Sequence, residues 1–107
     1  MVLEELRRLA GRMNDDPEPI RSFHTVYQFN ISDREASFQV RFEGGNVTVM
    51  EGTPESSACA LTMSESNFLK LLRGDLNAAM AFMLGNLKVD GKMGLALKLQ
   101  EALQHYS

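Results

Sequence analysis

The sequence lacks most of what a catalyst or a membrane-embedded protein would display. Cys59 is the only cysteine in 107 residues, so no disulfide can close within the chain and a reducing compartment is the expectation. Its two histidines, His24 and His105, stand near opposite ends of the sequence with no local partner. No pair of histidines and cysteines has metal-ligand spacing, so neither a metal nor another cofactor is expected. No apolar run approaches the roughly 18 residues of a membrane span. The charged start MVLEELRR lacks the apolar centre of a signal peptide, and the ending His105-Tyr106-Ser107 is unlike a peroxisomal address. A dominant charge is missing too. Eleven basic and fourteen acidic residues leave a net charge of −3, without the clustered basic surface of a nucleic-acid binder. With 44% apolar and 23% charged residues, the expectation is one soluble, cytoplasmic domain over residues 1–107 with a single core.

The order of elements follows from hydrophobic spacing. Val2, Leu6, Leu9, Ala10 and Met13 recur at helical intervals and predict an amphipathic helix of about three turns. From Phe23 the period becomes two. Phe23, Thr25, Tyr27 and Phe29 point one way, followed after a turn at 32–35 by Phe38, Val40 and Phe42. Gly44-Gly45 gives a tight hairpin into a third strand around Val47 and Val49. Ser57 to Met63 reads as a fourth strand, and Thr62 and Ser64 compete to cap the helix that follows. Gly74 ends that helix, and Asp75 is expected to cap another carrying Leu76, Ala79, Met80 and Met83 on one stripe. A short strand at 86–90 and a helix from about Lys92 to Gln104 complete the chain. The fold class is therefore α+β in two layers, with helices on the apolar face of the sheet. The connection between the fourth and fifth strands is long enough to reverse or to cross over, and its direction stays open at this point.

Chemistry is sparse. Gly91-Lys92-Met93-Gly94 lacks the spacing of a phosphate loop. Cys59 alternates with small residues as a buried apolar side chain would, and both histidines read as solvent-exposed. The chain is not expected to be an enzyme. What is abundant is flexible apolar bulk in the second half, including Met63, Met80, Met83 and Met93 among several leucines and phenylalanines. Methionine adapts to irregular apolar shapes, which suits a lipid pocket and suits an ordinary core equally. The last helix, apolar from Met93 to Leu99 except at Gly94 and Lys98, needs a second apolar partner.

Several segments resemble the sterol carrier protein type 2 family. They are Thr62-Met63-Ser64 leading into Asn67-Phe68-Leu69, then Ala81-Phe82-Met83, Gly85-Asn86-Leu87-Lys88-Val89, and the run from Gly91 to Gln100. The likeness is that of a stand-alone, bacterial-type member. It implies a five-stranded, mostly antiparallel mixed sheet and a hydrophobic tunnel between sheet and helices, with no catalytic residues. The implied function is to carry a fatty acyl chain, an acyl-CoA, a phospholipid or a sterol-like molecule. The alternative is an accessory factor that presents an apolar intermediate, such as a quinone precursor, to an enzyme complex. The implied partners are an apolar small molecule and, transiently, a membrane surface or an enzyme, but no nucleic acid. Phe68, Leu72, Leu76, Met80, Met83, Leu84, Met93 and Leu97 are expected to line the tunnel, with Leu61 and Met50 from the sheet. Leu84 stands where the family often has glutamine, Asp75 and Asn86 where lysine is usual, and Ala78 where proline is usual.

Burial of an apolar tail is worth roughly 0.8 kcal/mol per methylene, an upper limit of about 12 kcal/mol for sixteen carbons. Ligand efficiency sets a floor of about 5 kcal/mol, so affinities near micromolar are expected of a carrier that must release its cargo.

Overall fold

A computed structural model describes residues 2–107. Helix α1 spans Val2–Asp15 and buries the expected stripe of Val2, Leu6, Leu9, Ala10 and Met13. A short turn of 3-10 helix at Glu18–Ile20 leads into β1 (His24–Ile31), which continues through β2 (Ala36–Glu43) and β3 (Asn46–Glu51) as an antiparallel meander. Strand β4 (Cys59–Met63) is followed by α2 (Glu65–Leu72), α3 (Ala78–Met83), β5 (Lys88–Gly91) and α4 (Met93–Gln104).

The sheet order is β3-β2-β1-β4-β5. Strand β4 lies beside β1 in parallel, and β5 then pairs antiparallel with β4. This settles the direction that spacing left open. The register stacks one apolar face: Tyr27 opposes Val40 and Cys59, and Phe29 opposes Phe38 and Leu61. All four helices cover that face. The opposite face carries a polar lattice. Gln39, fully buried, donates to Gln28 and to the Glu55 carbonyl and accepts from the Glu55 amide, strapping the 52–58 loop onto the sheet. A buried amide with its bonds made costs little, whereas one left unpaired would be destabilising.

Local chemistry corrects several sequence expectations. Ser64, rather than Thr62, caps α2, its hydroxyl accepting from the Asn67 amide at 3.2 Å. Asp75 does not cap α3. Gly74 turns the chain with φ +76°, the Asp75 amide bonds back to the Lys70 carbonyl, and Asn77 supplies the cap to the Met80 amide. Starting at Ala78 rotates the helix, so Ala78 and Ala81 face inward, and Met80 and Met83 of the expected stripe face outward. Small residues let α3 approach α4, where the Gln100 side chain accepts from the Ala78 amide at 2.5 Å. Strands β4 and β5 each begin two residues later than expected, and Lys92 precedes α4 as its N-cap instead of opening it.

Candidate functional site

Helix α4 is fixed to the sheet by a buried bond. The Tyr27 hydroxyl donates to the Leu95 carbonyl at 2.8 Å, and burial, reinforced by Cys59, pushes the phenol far above its ordinary range. Cys59 itself is buried, and burial followed by the charge of Asp90 raises its thiol, so it stays protonated and is a poor nucleophile. Among the described residues, no three or more His, Cys, Asp or Glu side chains are grouped to hold a metal ion.

The helical roof comes from both ends of the chain. Helix α1 covers β3 and touches α2, and α2, α3 and α4 form the other part. At the seam between these parts lies a void of about 20 Å³ lined by eleven apolar residues: Leu6, Leu9, Ala10, Met13, Phe29, Val40, Phe42, Val47, Leu72, Leu99 and Leu103. It is large enough for about one water-sized group, and its wholly apolar lining gives water no partner. Leu9 and Leu72 also line an outer cleft of about 300 Å³ walled by Glu5, Arg8, Arg12, Arg73, Tyr106 and Ser107. Arg8 and Arg12 are one helical turn apart. Arg73 forms an ion pair with Glu5 at 3.3 Å, and Tyr106 donates to the Asp16 carbonyl at 2.5 Å.

The structure separates the expected lining residues into three groups. Leu61, Phe68 and Leu72 are buried, and only Leu72 of the ten borders the void. Phe68 packs against Phe29, which borders the void, with ring centroids 5.0 Å apart. Met50, Leu76 and Met93 are half-buried. Met80, Met83, Leu84 and Leu97 are exposed, and with Phe82 they make the outer surface of α3 and the facing part of α4 apolar. Spacing identified the apolar helix faces, but the residues bordering the void come mostly from α1 and the meander. The basic cleft was not anticipated because Arg8, Arg12 and Arg73 come from segments far apart in sequence. In the sequence, Arg7, Arg8 and Arg12 stand on the polar side of α1.

A one-sided sheet with a parallel central pair, roofed by helices over an apolar seam, defines a small two-layer binding domain. The profile of the SCP-2 sterol transfer family matches residues 3–104, and the chain belongs to that family. The family is described as one of sterol transfer. Sterol carrier protein 2 of Homo sapiens is 34% identical over 105 residues, an alignment covering 94% of this chain and 19% of that protein. The chain thus spans about a fifth of the length of such curated relatives. The solution structure of the sterol carrier protein domain 2 of Helicoverpa armigera superposes with a TM-score of 0.79 at 27% identity, covering 97% of this chain and 86% of that one. Sterol carrier protein 2 of Aedes aegypti, solved in complex with palmitate, gives a TM-score of 0.76 at 19% identity, covering 97% and 96%, a likeness of fold alone.

Proposed function

We propose that this chain is a non-catalytic carrier that holds the apolar part of a lipid between the sheet and the helical roof, at the seam beneath α1. The cargo classes are those with a long flexible tail: a fatty acyl chain, an acyl-CoA or a phospholipid, with a sterol-like molecule as the bulkier case. The observation that carries the reading is the void itself, lined entirely by apolar side chains at the junction of two roof pieces from opposite ends of the chain. Palmitate in the Aedes aegypti protein supports an acyl tail as cargo for this fold.

Size sets the mechanism. If each methylene takes about the 30 Å³ share of a water, a sixteen-carbon tail needs on the order of 500 Å³. The void has room for about one water-sized group, so uptake of sixteen methylenes requires the roof to part and the lining side chains to move aside. The tail then replaces contacts the protein makes with itself, which keeps net affinity moderate and allows release.

The test is uptake of an uncharged tail, hexadecanol, followed by displacement of a fluorescent fatty acid. Ala10 is buried and faces the void. Ala10→Phe fills it, at an overpacking cost of about 1–3 kcal/mol, and is expected to lower affinity at least about tenfold while thermal melting remains cooperative. Leu84→Ser, on the exposed outer surface, is the control and is expected to leave hexadecanol affinity unchanged. Hexadecanol binding that is absent in the wild type, or unaffected by Ala10→Phe, overturns the reading. Failure to bind tails combined with specific co-purification of an enzyme complex would favour the accessory role.

A further inference from the structure

We infer that the outer surface of α3, with Leu97 of α4, docks on a lipid bilayer, inserting Met80, Phe82, Met83 and Leu84 among the head groups of a zwitterionic leaflet. This surface is separate from the cargo seam. None of the five residues borders the void, and on α4 it is the buried Leu99, not the exposed Leu97, that does.

Exposure, charge and area together select the partner. Among the described residues, every large apolar side chain that stands exposed belongs to this patch, and Met83 and Leu84 at its tip are 79% and 67% exposed. Single exposed leucines are ordinary on a protein surface, whereas a cluster of them marks a contact. The inner face of α3 is already taken by Ala78 and Ala81, and the amides of Asn86 and Leu87 bond back to the Ala81 carbonyl, so the chain returns inward without covering the outer side. Residues 76–87 hold no ionisable side chain, in a chain that is 23% charged. The charges that bracket them in sequence, Asp75, Asp90 and Glu101 against Lys88, Lys92 and Lys98, cancel, and Lys98 is itself held over the Phe23 ring at 4.5 Å. A neutral surface of this kind matches the balanced head groups of phosphatidylcholine and lets apolar tips pass to the acyl boundary. The chain as a whole, at −3, gains nothing from an anionic leaflet, which attracts basic segments. With somewhat under about 200 Å² on each side chain of this size, the exposed fractions amount to roughly 500 Å². That falls short of the about 800 Å² that each partner gives to a stable protein interface. Fluid lipid needs no complementary shape, and unbranched methionines adapt to it.

Co-sedimentation of the whole chain is done with vesicles of phosphatidylcholine alone and of phosphatidylcholine mixed with phosphatidylserine, at low and high salt. The wild type is compared with the Met83→Ser/Leu84→Ser double variant and, on the basic side of α1, with Arg8→Gln/Arg12→Gln. The wild type is expected to bind the two kinds of vesicle within about fivefold of each other, the scale of exposed charges. Salt is expected to change that binding little, because no charge-dense contact is there to be screened. Met83→Ser/Leu84→Ser is expected to weaken it at least about tenfold, since the most exposed tips are the ones transferred to lipid. Its melting temperature and hexadecanol uptake are expected to stay those of the wild type. Arg8→Gln/Arg12→Gln is expected to bind vesicles as the wild type does.

Absence of vesicle binding by the wild type, or binding that survives Met83→Ser/Leu84→Ser, overturns the docking face while leaving the carrier reading intact. Binding that requires phosphatidylserine and is lost in Arg8→Gln/Arg12→Gln also overturns it, by moving the contact to α1. A wild-type dimer in analytical ultracentrifugation that Met83→Ser/Leu84→Ser dissociates overturns it as well, by making the patch a contact between copies of the chain.

Discussion

Replacing Leu99 by alanine should convert the seam into a real cavity, and it gives the carrier reading a quantitative test. Leu99 is buried on α4 and borders the void opposite α1. The change deletes three carbons, worth about 2.4 kcal/mol in transfer alone. The hole then adds about 24 cal/mol for each Å³ that does not collapse. Because the site already adjoins free space and is walled by Phe29, Phe42 and Leu103, relaxation should be incomplete. A total of about 3–4 kcal/mol is expected, within the 2.7–5.0 kcal/mol range of comparable substitutions. That is a large share of the roughly 5–15 kcal/mol that holds a domain of this size together, but it leaves the fold standing. Urea denaturation followed by circular dichroism, with and without hexadecanol, reads both halves of the prediction. Without ligand the midpoint falls, with the slope unchanged. With ligand the variant should recover at least about 1 kcal/mol more than the wild type, since the tail enters space it no longer has to clear. A cost below about 1 kcal/mol would refute the packing described at the seam. Equal ligand stabilisation of both proteins would refute the idea that the tail occupies it.

Two further outcomes follow from single contacts. Tyr27→Phe should cost about 1 kcal/mol, because it removes one buried bond while the Leu95 carbonyl keeps its helical partner. The raised phenol also fixes a sign: the folded state holds its proton more tightly, so the contribution is full below the ordinary tyrosine value of 10.0 and is lost as pH rises above it. An alkaline stability titration should therefore fall more steeply in the wild type than in Tyr27→Phe, with a residual slope from Tyr106, whose phenol burial also raises. Gly91→Ala should cost at least about 2 kcal/mol by denaturant melt, since φ there is +127° and a Cβ would lie 2.6 Å from the Ala58 carbonyl oxygen. A loss below about 0.5 kcal/mol would show that the β4–β5 edge adjusts freely.

Much of this fold was legible because burial imposes its period on the chain. The alternation from Phe23 to Val49 placed the meander and its inward face, and Ser64 was already a candidate cap. The parallel pairing of β4 with β1 was not legible, because a connection through the hairpin and the 52–58 loop permits either direction. Helix α3 was misphased by two residues. Asp75 and Asn77 are both competent caps, and the choice was made by the Gly74 turn and by the contact of Ala78 with Gln100. That small shift put Met80 and Met83 on the outside, where the family resemblance implied that they line a tunnel. The void could not be read at all, since it depends on how side chains from α1, three strands, α2 and α4 fail to meet, which no local pattern records.

The roof in two pieces has a mechanical corollary. Asn14 clasps Val47 through two hydrogen bonds of 3.0 and 2.9 Å, and Tyr106 holds the Asp16 carbonyl, so α1 is riveted at its trailing end. Its leading half is held by side-chain packing and by the ion pairs Glu5–Arg73 and Arg7–Glu51. Swinging that half outward severs no rung of the sheet and uncoils no helix. The floor can therefore stay rigid while the gap above it widens, and the work of opening is set by a few leucines rather than by the fold as a whole.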